Sequence, residues 1–112
     1  MLFAFAEDGV VWVFEHESAA KVEFGPIDVE NEVFVFYAED GTWLKPCFTR
    51  PNKRKLFGLV LEQGEYEFVR GQEAEADSFE VALSEARAVE PNLHFKTVEE
   101  IRRHVEKIKS GQ

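Results

Sequence analysis

The chain reads as an α+β fold: an antiparallel sheet of about five to six strands followed by two C-terminal helices. Three observations predict this. Short β-branched and aromatic runs separated by turn residues fill the first two thirds of the 112 residues. Two Asp-Gly pairs, Asp8-Gly9 and Asp40-Gly41, mark tight hairpins. After about residue 77 the apolar spacing changes from a period near 2 to a helical period. Strands first and helices last place the helices on one face or end of the sheet. The length is that of a single domain, residues 1–112.

Phe3 to Phe5 and Val10 to Phe14 make the first hairpin across Glu7-Asp8-Gly9, and the second arm is apolar enough for burial on both faces. Lys21-Val22-Glu23-Phe24 alternates and reads as a strand, ended by Gly25-Pro26. Val33 to Tyr37 is another continuous apolar strand, closed by Glu39-Asp40-Gly41. Trp43 and Leu44 begin a short return strand limited by Pro46 and Pro51, because proline cannot donate to a central ladder. Leu56 to Leu61 and Glu65 to Arg70 read as a hairpin across Gln63-Gly64, with Tyr66 and Phe68 on one face and Glu65 and Glu67 on the other. Asp77 with Glu80 forms a capping box ahead of the stripe Phe79, Ala82, Leu83, Ala86. Thr97 with Glu100 does the same ahead of Val98, Ile101, Val105, Ile108, and Arg102, Arg103, Lys107 and Lys109 complement the dipole of that helix. The segment Phe3–Gly9 with Trp12 echoes Phe34–Gly41 with Trp43, which predicts two similar hairpins in one sheet. If both turns lie at one sheet end, they present their carboxylates together.

Charge is the most informative property. Thirteen basic and twenty-two acidic residues give a formal charge of −9. Residues 1–40 hold ten acids and one base, Lys21, while the remaining acids and bases cancel. One-signed patches raise encounter rates with oppositely charged partners by ~10 to 10³ at low salt. The same balance argues against nucleic-acid binding, which needs a basic face. No apolar run approaches the ~20 residues of a spanning helix. Leu2 to Ala6 is too short for a signal peptide, and the single Cys47 forms no internal disulfide, so a cytoplasmic setting without membrane association is expected.

Chemistry-bearing residues are sparse. In Glu15-His16-Glu17 neighbouring strand side chains point to opposite faces, so a solvated strand end is expected. His94 reads as a structural loop residue and His104 as an exposed helical one. No metal-ligand spacing appears, so no metal or cofactor is expected. Cys47, between Pro46 and Phe48, lacks a local catalytic signature and reads as a half-buried thiol. The basic run Arg50 to Lys55 is open to three readings: phosphate binding, pairing with the chain's own acidic third, or pairing with that of a second copy.

The run Tyr37 to Pro46, then Phe48 to Lys53, Gly64-Glu65-Tyr66 and Pro91 to Glu100 resembles immunity proteins of bacterial contact-dependent inhibition and related polymorphic toxin systems, over roughly residues 30–105. The resemblance implies a small cytosolic protein, not an enzyme, that binds and blocks one cognate toxin, often a nuclease. Family contact residues vary with the toxin, so none transfers by position. The reading that joins charge and resemblance is an acidic protein that occludes a toxin's basic surface through Glu7, Asp8, Asp28, Glu30, Glu32, Glu39 and Asp40. Two alternatives stand beside it: an enzymatic or small-molecule-binding domain with a pocket between sheet and helices, and a homo-oligomeric structural domain. The oligomeric state is not legible.

Overall fold

The computed structural model describes residues 1–30, 34–54, 60–71 and 78–111. It is α+β, as the pattern predicts. β1 (Leu2–Ala6), β2 (Val10–Phe14), β3 (Phe34–Ala38), β4 (Trp43–Arg50), β7 (Glu65–Arg70) and β8 (Ala88–Val89) form one six-stranded sheet in the order β7-β4-β3-β1-β2-β8. All its pairs are antiparallel except β2 with β8. β5 (Lys53–Arg54) and β6 (Val60–Glu62) make a separate two-stranded ribbon. The helices are α1 (Glu17–Glu23), α2 (Pro26–Glu30), α3 (Phe79–Glu85) and α4 (Val98–Lys109).

β1 is central, and its side chains are buried on both faces. Leu2 and Ala4 join Phe36, Leu44, Tyr66 and Phe68 beneath Ala20 and Phe24 of the α1 segment and Val29 of α2. Phe3 and Phe5 join Val11 and Tyr37 beneath Phe79 and Leu83 of α3 and Ile101 and Val105 of α4. The sheet is therefore the middle of three layers. Phe24 fastens the first face: its ring stacks on Phe34 at 3.9 Å and meets Phe14 and Phe36 edge-on. Its carbonyl accepts a 2.7 Å bond from the Tyr66 hydroxyl, which ties the end of α1 to the edge strand β7.

Several sequence expectations are corrected here. Lys21–Phe24 is not a strand, because residues 17–23 are helical. Ala20 and Phe24 lie four apart and face the sheet together, while Val22 points into solvent at 87% exposure. β4 is not cut short by Pro46. Gly71 N–H donates to Trp43 C=O, so residues 43, 45 and 47 turn their backbone groups toward β7 and Pro46 needs no donor there. β7 consequently pairs with β4 and not with β6, whose partner is β5; residues 55–59 of the expected hairpin lie outside the described residues. The cap of α3 is Ser78, whose hydroxyl accepts from Val81 N–H, and Asp77 is not among the described residues. Thr97 caps α4 as expected by accepting from Glu100 N–H, but the Glu100 carboxylate reaches back to Lys96 N–H instead of closing the box on Thr97.

The repeated Asp-Gly signal forms the same turn twice. Gly9 N–H donates to Ala6 C=O and Gly41 N–H to Ala38 C=O. Both glycines have φ near +87°, at 87° and 86°, a region costly for any residue with a Cβ. Asp8 and Asp40 each accept from the backbone N–H two residues on, at 3.0 Å.

Helical and strand placement of residues 21–24 predict different mutational costs. Val22→Ala should shift stability by less than ~0.5 kcal/mol in denaturant unfolding, because exposed helical Val gives way to a better helix former. Phe24→Ala should cost about 3–5 kcal/mol. A large loss at Val22 would return the segment to a strand.

Candidate functional site

The register decides which acids can act together. β1 pairs with β3 as Leu2↔Ala38 and Ala6↔Phe34. The Glu7–Gly9 turn therefore sits at one end of the sheet and the Glu39–Gly41 turn at the other, separated by four strand steps, roughly 13 Å, or more. The two turns do not present their carboxylates together.

At the second-turn end the acids are engaged by the protein's own groups. Asp40 bonds the Arg70 guanidinium at 3.0 Å. Glu39 lies 2.7 Å from His104 Nε2, so His104 is half-buried and partnered instead of exposed. Glu15 lies 2.9 Å from His94 Nε2. Partial burial raises the Asp40 carboxyl, but the Thr42 N–H and hydroxyl and the Arg70 guanidinium outweigh it and hold its pKa below the ordinary 3.8.

At the first-turn end the arrangement differs. The ladder between β3 and β4 stops at Phe36↔Leu44. Ala38 N–H donates to Thr42 C=O, so by alternation Ala38, Phe36 and Phe34 aim their backbone groups at β4. The next residue to pair with Phe34 would be Pro46, which has no N–H to give. The strands part there, and a cleft of about 840 Å³ opens between them. Its lining draws on both faces of the sheet: Val35, Lys45, Ala82 and Glu85 from one, Val29, Phe34, Pro46 and Phe48 from the other. Its ionisable groups are Glu7, Glu30, Glu85 and Lys45, with Tyr37 deeper. Among the described residues the lining contains no imidazole, thiol, serine or threonine. Glu7 and Glu85 pair with no cation among the described residues. Arg87, beside them, donates to the Asp8 backbone carbonyl and not to its carboxylate.

The structure thus divides the seven predicted contact acids. Glu7 and Asp8 lie on the first turn, and Asp28 and Glu30 on α2, with Glu7 and Glu30 both lining the cleft. Glu39 and Asp40 lie at the opposite end. Glu32 is outside the described residues. Glu85, 78 positions from Glu7, was missed, since nothing in the sequence signals their proximity. The basic run folds back in part: Arg50 pairs with Glu65, and the Asn52 amide donates to both Pro26 C=O and the Glu30 carboxylate.

The remaining candidates are open to water. His16 is the N-cap residue of α1, with Nδ1 2.6 Å from Ser18 Oγ. It shares a smaller depression of about 480 Å³ with Glu17 and Arg70, all three exposed, so solvent screens any charge that would develop there. Cys47 is half-buried on β4. No group of three His, Cys, Asp or Glu among the described residues is placed to hold a metal, and no helix among them is long and apolar enough to cross a membrane. No protein-family model matches the chain, and no curated protein or solved structure shows significant similarity to it.

Two titrations follow from the geometry. Because Asp40 is held below its ordinary value, its stabilising contribution is present above pH 3.8 and fades as pH falls through the lower folded value; Asp40→Asn should flatten that acid limb in unfolding curves. Burial first, then the Asp28 and Glu67 charges, push Tyr66 up to about 12. Its contribution is full below pH 10 and lost as pH rises toward 12. Tyr66→Phe should remove that alkaline loss and cost about 1 kcal/mol at neutral pH.

Proposed function

We propose that the protein is an acidic binding module that docks on a basic surface of another protein and blocks it by occlusion, in the manner expected of an immunity protein acting on a cognate toxin, with a nuclease the best fit. The observation that carries this reading is the gathering of Glu7, Glu30 and Glu85 around one cleft, with Lys45 the one basic residue among the described lining residues. Nuclease toxins hold their substrates through cationic side chains, and carboxylates at this end would stand in for the phosphates. Asp8 and Asp28, both exposed, extend the acidic surface beyond the cleft mouth. Glu39 and Asp40 contribute little here, since the register of β1 with β3 places them at the end of the sheet away from the cleft.

The test is capture of partners from the native host followed by charge reversal. Glu7→Lys with Glu30→Lys should slow association with the captured protein by ~10-fold or more at low salt, an effect that shrinks as salt is raised. Asp40→Lys should leave the rate nearly unchanged. Equal losses from both ends of the sheet, or no effect from either, would remove the charge-directed reading.

A further inference from the structure

The cleft has a feature that acidity alone does not explain. It is a break in the sheet itself, made by Pro46 at the next position after Leu44 where the β3–β4 ladder requires a donor. On either side the strands continue: β3 runs on to Phe34 while paired with β1, and β4 runs on to Arg50 while paired with β7. The walls are therefore rigid backbone, with the Phe34 carbonyl and N–H turned into the gap. The apolar side chains at its rim are incompletely covered, Val35 at 39% and Phe48 at 36% exposure. Carboxylates of Glu7 and Glu85 stand over this gap without a cationic partner among the described residues.

We infer that this gap takes an extended polypeptide segment of the partner, bearing lysine or arginine at alternate positions, an inference that rests on the charge-directed reading above. The segment's backbone N–H supplies the donor that Pro46 lacks and bonds the Phe34 carbonyl. Its cations, two residues apart, face Glu7 and Glu85 with their aliphatic stems along Val35, and its intervening apolar side chains lie on Phe48 at the opposite face. An extended chain satisfies all three features at once, whereas the body of a helix has its backbone donors already bonded and only its N-terminal turn has free N–H groups. The charge of the rim selects a cationic segment over a neutral or acidic one.

Pro46→Val tests this directly. The substitution restores the missing N–H, so β3 and β4 can zip past Phe36↔Leu44 and close the gap; a protected amide at position 46 in hydrogen exchange would show that they have. The probe is a synthetic peptide of alternating Lys and Val, with a Glu and Val counterpart as control, titrated into isotope-labelled protein. The Lys peptide should shift the amides of Val35, Lys45 and Cys47, and the control should not. Affinity should fall on the order of tenfold or more in Pro46→Val and several-fold in Val35→Ser, a substitution at an exposed site that spares the core. Absence of binding, or undiminished binding once position 46 is protected, would overturn the inference. Shifts confined to Asp8 and Asp28 would also overturn it while leaving the charge-directed reading in place. Binding that ignores both salt and peptide charge would overturn that reading itself.

Discussion

A strand that is apolar on both faces cannot be satisfied by helices on one side. β1, Leu2-Phe3-Ala4-Phe5-Ala6, is such a strand, and the architecture follows from covering it twice. α3 and α4 cover the face of Phe3 and Phe5; α1 and α2 cover the face of Leu2 and Ala4. At ~25 cal/mol per Å² of buried apolar surface, leaving either face open would forfeit more than a small domain's net stability. Phe24 and its carbonyl bond from Tyr66 are the fastening of the first layer, because they join helix, central strands and edge strand at one point.

The same constraint explains what was legible and what was not. The Asp-Gly turns, β1 to β3, the alternation of Glu65–Arg70 and both C-terminal helices follow from local periodicity and turn chemistry, and the structure has them. α1 was hidden because Lys21-Val22-Glu23-Phe24 fits a period of 2 as well as Ala20–Phe24 fits a period near 4. Only the need to cover the second face of β1 decides between them, and that need is non-local. β4 runs past Pro46 because a proline interrupts only the ladder that its nitrogen faces, and which ladder that is depends on register, a non-local property.

The candidate site was legible in composition but not in geometry. An excess of acids in residues 1–40 predicts negative charge without saying where it lies. Antiparallel pairing of β1 with β3 sends the two acidic turns to opposite ends, and at one end Asp40 then pairs with Arg70 and Glu39 hydrogen-bonds His104, both from distant parts of the chain. The other end gains Glu85 from α3, and the cleft between β3 and β4 owes its place to a single proline. Fold and candidate site are linked in this way: the break that limits the sheet also lies between Val35 and Phe48, near Glu7 and Glu85, which have no cationic partner among the described residues.

The central claim is that negative potential is concentrated at the Glu7 end of the sheet and not at the Asp40 end. Paramagnetic relaxation of backbone amides by a cationic and an anionic nitroxide of equal size reads local potential residue by residue. The account predicts a clear excess of cationic over anionic enhancement at Glu7, Gly9 and Glu85, and near equality at Asp40 to Thr42. The same ratio at both ends would contradict it.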